Sequence, residues 1–397
     1  MPKKGNIAHG TFGSLRRGQV TVAVALSVVT LISFAALAVD VGMLYTTKAE
    51  LQRAADATAL AATWELVMDE RRLLGATGVS QAVLDSRTRA VEVAAENPVL
   101  RNGIEVDRNE GNAADGDIVY GWLVEPANQA TSMQPCVDPR TNAVQVLARR
   151  DETRNGQVPL TLARIFGSSA SNVSARAVAA YEGGVVGFRV TPETGNADLL
   201  PFTLLIDSWN NLISGAVTIG DNYAYDPVTG QVTPGPDGIP ELNIFPGAGE
   251  NQLPPGNFGT LDIGPDSNST SDLARQIIEG INQADLEALG GSLEFGPDGV
   301  LYLNGDTGLS AAVKDPLMQI IGKGRVLPLF NDVSGPGDNA VFSIVKFEGI
   351  RVVDVKLTGA MNKKYLVIQP AVVVDDAGIT DQSGTQNFVY RPPQLVR

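Results

Sequence analysis

The longest hydrophobic run of the chain is Val20 to Val39, VTVAVALSVVTLISFAALAV, which carries no charge and few polar groups. At 1.5 Å per residue such a run makes a helix of about 30 Å, the thickness of one bilayer core. The helical pattern does not stop there, because Met43 to Trp64 has neither glycine nor proline and is dominated by strong helix formers. Leu44, Leu51 and the Ala54/Ala55 pair recur at about heptad spacing, and Ala54, Ala57, Ala59, Ala61 and Ala62 allow another element to approach closely. One continuous rod is predicted. Its Leu44, Leu51, Ala55 stripe packs either on the chain's own first domain or on a second copy.

Further along, Ser80 to Asn97 reads as a second helix that ends before Pro98. Short alternating runs follow at Ile118 to Leu123, Asn142 to Arg149 and Val173 to Tyr181, with Leu160 to Phe166 as one short helix between them. Glu182-Gly183-Gly184 is the expected boundary, after which Val185 to Val190 begins a new alternating run. Gly215 to Gly264 is rich in turn formers, and Thr270 to Ile281 reads as a helix capped by Ser271. Val341 to Phe347, Ile350 to Leu357 and Tyr365 to Val374 read as three antiparallel strands, the first two joined by a two-residue turn. The tail from Asp375, with Pro392-Pro393, is expected to be loose.

The predicted fold class is therefore α+β. An N-terminal transmembrane helix continues as a long stem packed on a small antiparallel sheet, and a second β-rich α+β domain follows. The expected division is a basic lead at 1–19, the span at 20–39, a stem and first domain at 40–182, a second domain at 185–374 and a polar tail at 375–397. A length of 397 residues with 44% hydrophobic content allows two cores beside an anchor.

Charge sets the orientation of the span. Lys3, Lys4, Arg16 and Arg17 precede it and no acid occurs before Asp40, so the N-terminus is expected to stay in the cytoplasm. Arg16-Arg17 acts as a topology determinant more simply than as a twin-arginine export signal. Ala36-Leu37-Ala38 resembles a signal-peptidase site, but the apolar run is longer than a usual h-region. Cleavage after Gly18 would leave Gln19 first, in the prepilin manner, although Ala23 stands where pilins carry Glu. The region beyond the span has 26 basic against 44 acidic residues, which repels phosphate backbones and argues against nucleic-acid binding.

Arg16 to Ala62 resembles the N-terminal region of TadG-like Flp/Tad pilus-assembly proteins. The residues that carry the resemblance are Ala38, Val39, Asp40, Gly42, Leu44 and Tyr45, then Leu51, Gln52, Ala54, Ala55, Asp56, Ala57, Ala59, Leu60, Ala61 and Ala62. Asn142 to Tyr181 is similar to the segment that closes this region in such proteins, and the part from about Gly184 is similar to a companion domain, with Pro255-Gly256-Asn257-Phe258-Gly259 as its marker. The von Willebrand A metal site of many of these proteins is not carried over: Asp266-Ser267-Asn268-Ser269-Thr270 departs from D-x-S-x-S at its third position. The resemblance implies a non-enzymatic structural or assembly component with other envelope or pilus-assembly proteins as partners; the apolar run itself points to inner-membrane lipid, the stem stripe leaves self-association open as one alternative, and no cofactor is expected.

Candidate chemistry is sparse. His9 is the sole histidine and precedes the span, which excludes His-dependent catalysis beyond it, and Cys136 is the sole cysteine, which excludes a disulfide framework. Gly322-Lys323 lacks the rest of a phosphate loop, since position 317 is Leu and 324 is Gly, and Gly335-Pro336-Gly337-Asp338-Asn339 reads as a turn. Asp221, Asp226, Asp237 and Glu241 supply hard oxygen donors for calcium without the spacing of a calcium loop, which leaves a surface adhesin or calcium-dependent binder as one alternative. An envelope hydrolase is another, and it requires a cleft with carboxylates of raised pKa.

Overall fold

The computed structural model describes residues 17–128, 130–247, 252–265, 269–335, 340–381 and 388–396. It is α+β, and it begins with one unbroken helix, α1, from Arg17 to Met68. At 1.5 Å per residue α1 is roughly 78 Å long. Its two halves face different surroundings. Over 20–39 nearly every side chain is exposed, the exceptions being Ser33 and Ala36, whereas Leu51, Ala54, Ala55, Ala59, Ala62 and Leu66 are buried.

The buried half of α1 packs with a second helix, α2 (Ala76–Glu96), on a six-stranded sheet ordered 373–374, 389–395, 173–182, 143–150, 118–122, 134–135. Small side chains set the depth of that packing. Ala54, Ala55, Ala59 and Ala62 of α1 meet a core that includes Ala175, Ala177 and Ala179 of the central strand, so helix and sheet can approach closely. Polar groups fix the register of helix on sheet: Thr63 Oγ1 donates to Ala179 O at 3.4 Å, Gln52 Nε2 to Arg176 O at 3.1 Å, and Lys48 Nζ to Ser174 O. Ser86 of α2 donates to Ala62 O at 2.6 Å.

The second sheet closes on itself. The strands 340–356, 301–306, 258–261, 202–205 and 324–334 follow one another by hydrogen-bonded ladders, and 324–334 pairs back to 340–356, with 365–370 and 242–243 added outside this ring. Phe330 and Phe342 meet edge-on inside, with centroids 5.0 Å apart. Gly259 and Gly305 make room for Phe342: a Cβ on Gly259 would lie 2.3 Å from its Cζ, and one on Gly305 3.0 Å from its Cε2. This explains the glycine that ends the Pro255 to Gly259 marker.

Four expectations are corrected. Val341 to Phe347 and Ile350 to Leu357 are not a hairpin but one strand, Ala340–Lys356. Glu348-Gly349 is no turn, because Val326 pairs with Gly349 and a Cβ there would lie 2.2 Å from Ala371 O. The strand Gly324–Ser334, absent from the sequence reading, contains Pro328 in its interior. The tail is not loose, since Val389–Leu395 pairs antiparallel with 173–182, and its register shift between Arg391 and Gln394 accommodates the two prolines. The helix at Thr270–Glu279 is capped by Ser269, which accepts from Asp272 N, rather than by Ser271. The segments Asp266-Ser267-Asn268 and Pro336 to Asn339 lie outside the described residues.

The stem is tied to the second sheet by a buried ion pair. Glu70 stands in the 3-10 turn Glu70–Leu74 just after α1, and Arg351 donates to it from Nη1 at 2.9 Å and from Nη2 at 2.6 Å. Arg351 Nε donates to Gly322 O at 3.0 Å, and its guanidinium lies 3.3 Å from the centroid of the Tyr225 ring. Removing one partner of such a pair leaves a buried, uncompensated charge, so Glu70→Ala lowers the unfolding free energy by about 3 kcal/mol. Glu65→Ala, on the exposed face of α1, changes it by less than about 0.5 kcal/mol; denaturant titration in detergent separates the two.

Asp375 makes stability depend on pH. Its Oδ2 accepts from Asp198 N at 2.7 Å and its Oδ1 from Ala377 N at 2.8 Å, yet burial pushes its carboxyl up to about 6. An acid raised in the folded state binds protons more tightly folded than unfolded, so its contribution is whole below the ordinary Asp range and is lost as pH rises through about 6. We expect the stability advantage of the native chain over Asp375→Asn to shrink by up to about 3 kcal/mol between pH 4 and pH 7.5. A pH-independent difference in thermal midpoint would contradict this.

Candidate functional site

The exposed and the buried halves of α1 meet at Asp40. Asp40 is the first charged residue after the exposed half and is 3% exposed. It collects three backbone donors from a loop more than a hundred residues away: Oδ1 accepts from Thr161 N at 2.8 Å, and Oδ2 from Leu162 N at 2.9 Å and Ala163 N at 2.7 Å. These amides open the 3-10 turn Ala163–Phe166, whose first N–H groups have no partner within the turn. A carboxylate at that position satisfies them and favours the turn's dipole. The same donors, Ala163 first, hold the Asp40 carboxyl below the usual carboxylate range. The clasp is therefore intact at neutral pH and is lost only as pH falls through that lowered value.

The sequence-predicted positions fall around this junction as follows. Arg16 lies outside the described residues, and Arg17 and Gly18 form the first turn of α1. Leu51 and Ala55 are fully buried in the chain's own core, and Leu44 is half-buried. A second copy cannot use the Leu51 and Ala55 face while the sheet covers it. In the sequence Asp40 stands out as the end of the uncharged run and as one of the residues that carry the resemblance, but its role depends on amides that no local pattern marks.

A cleft of about 730 Å³ lies at the far end of the first sheet and is lined by Arg72, Trp122, Arg140, Tyr181, Glu182 and Tyr390 among others. Its cations are held by aromatic rings. Arg72 lies 5.1 Å from the Tyr181 centroid and 5.5 Å from that of Tyr390, and Arg140 lies 5.2 Å from that of Trp122. The carboxyls that burial pushes up, Asp198, Glu241, Glu348 and Asp375, do not line it. This cleft therefore does not bring together the perturbed acids that a hydrolase needs.

The four loop acids considered for calcium already serve the backbone. Asp221 accepts from Asp237 N and Gly238 N, Asp237 from Ile239 N and Tyr225 N, Asp226 from Val228 N, and Glu241 from Asn222 N and Tyr223 N. They shape the hairpin at 223–226 and 231–234 and its flanks. Among the described residues no group of three or more His, Cys, Asp or Glu is placed to hold a metal ion.

Comparison with known proteins adds one finding. The family model for Flp pilus-assembly TadE/G-like proteins, Tad, matches residues 18–65. The matched residues are the exposed apolar half of α1, the Asp40 junction and most of the buried half. No curated protein and no solved structure matches the chain.

Replacing Asp40 by Ala leaves the three amides of residues 161–163 without their acceptor. Hydrogen exchange of that loop should then accelerate about tenfold or more while the 173–182 strand keeps its protection. Unchanged exchange at 161–163 would show that the clasp is not what orders the loop.

Proposed function

We propose that this chain is a membrane-anchored, non-enzymatic structural or assembly component of a Tad/Flp-type pilus or a related secretion apparatus. The match of residues 18–65 to the TadE/G-like family is the observation that carries the reading. In it, 20–39 crosses the inner membrane once. The basic lead with Arg16 and Arg17 stays in the cytoplasm, and the two sheets project on the far side. α1 offers a run of mean hydropathy 2.6 with almost no burial by the rest of the chain, which is the property an anchor needs.

Gly18 is the proposed processing point if the lead is removed. The Leu51 and Ala55 stripe orients the stem on its own sheet, so contacts with other envelope proteins fall to outer surfaces such as the aromatic and arginine-lined cleft. The same chain surface, acidic overall, suits protein partners rather than nucleic acid.

Two measurements test the reading. The full-length protein should sediment with membranes, resist high salt and alkaline carbonate and be released by detergent, whereas deletion of 20–39 should release it. Loss of the gene should abolish pilus assembly, with restoration by the native chain. Recovery of the full-length protein in the soluble fraction without detergent would contradict the anchor, and normal pili in its absence would contradict the assembly role.

A further inference from the structure

The turn held by Asp40 sits at the level of the last turns of the apolar run. Asp40 follows Val39 directly, and Ala36 and Ser33, one and two turns earlier on the same face, are buried and half-buried where the other residues of 20–39 are exposed. The Ala163–Phe166 turn contacts α1, and the amides that open it bind Asp40. If 20–39 fills the bilayer core, the covered face marked by Ser33 and Ala36 extends about 10 Å inward from Asp40, the residue that this turn holds.

That segment is a closed, hydrogen-bonded loop. Leu160 N donates to Ser169 O at 3.0 Å, Ser168 N to Ala163 O at 3.0 Å and Gly167 N to Arg164 O at 3.1 Å, and Gly167 turns the chain with φ 90°. At its tip Ile165 is 76% exposed, more than any large apolar side chain of the run. Arg164 beside it is exposed and has no ion-pair partner among the described residues. On the next turn of α1 beyond the junction, Tyr45 is 74% exposed.

We propose that the 161–168 turn is a second membrane contact, with Ile165 inserted at the boundary between headgroups and acyl chains and Arg164 reaching the headgroup phosphates. An ordered loop with an apolar tip beside a cation suits that boundary, and the amphipathic Arg side chain keeps its charge at the polar side while its stem lies in the apolar one. Tyr45 takes the headgroup level that tyrosines favour. One helix alone leaves the exterior body free to rotate about its axis and to tilt. A second contact beside it, rigidly tied through Asp40, fixes which face of the body looks along the membrane. The inference rests on the anchoring reading above.

The test uses the full chain with Cys136→Ser, reconstituted in vesicles of phosphatidylglycerol and phosphatidylethanolamine, and single cysteines labelled with an environment-sensitive fluorophore at Ile165→Cys, Leu31→Cys and Val228→Cys. Val228 is 91% exposed and lies in the distant 223–234 hairpin. Nitroxide-bearing lipids should quench positions 31 and 165, the latter to about half the extent of the former or more, and leave 228 unquenched. Arg164→Glu should reduce the quenching at 165. Quenching at 31 with position 165 as unaffected as 228 overturns this inference and leaves the anchor standing; no quenching at 31 overturns the anchor and the inference together.

Discussion

The structure depends on one helix being shared between two environments that cannot be exchanged. From 20 to 39 its side chains find almost nothing in the protein to cover them, and from Leu51 onward they are the centre of a protein core. The backbone is indifferent to the change, because every hydrogen bond inside a helix is local. The side chains are not, and the switch is made at Asp40. A carboxylate there would be costly in an apolar medium, yet it is fully employed by the three amides of Thr161, Leu162 and Ala163. It is the first charged position beyond the exposed apolar half, and there the amides of a distant loop hold the helix.

From that junction the rest follows by contact. The alanine-rich face of the stem lies on an alanine-rich strand, so the helix becomes a structural member of the first sheet rather than a tether attached to it. Glu70, immediately beyond the helix, carries the connection into the closed second sheet through Arg351. The C-terminal strand returns to pair with 173–182 and brings Tyr390 edge-on to Tyr181 at 5.0 Å. Start, middle and end of the chain are thereby tied to the helix that begins it.

Much of the first half was legible in the sequence because its signals are local. An uncharged run of bilayer length, a glycine-free helix former and three alternating strands each declare themselves within ten to twenty residues. What stayed hidden was set by partners far along the chain. The amides that employ Asp40 lie at 161–163, and no periodicity links the two. Glu348-Gly349 has the composition of a turn, but the glycine is there because the Ala371 carbonyl presses against it. Pro328 and Pro392-Pro393 argued locally against strands that tertiary pairing nonetheless imposes, the latter at a register shift where two missing donors cost little.

The central claim is that residues 17–68 form one rod whose surroundings change from lipid to protein at Asp40. Cysteine scanning along that rod, in the Cys136→Ser background and in intact membranes, reads the claim directly through labelling by a membrane-impermeant maleimide. The account predicts unbroken protection from about 20 to 39, followed beyond Asp40 by protection that recurs every three to four residues and includes 51, 55, 59 and 62. A three-to-four-residue rhythm of labelling already present within 20–39 would mean that this half is also wrapped by protein and exposed to water on one side, and would contradict it.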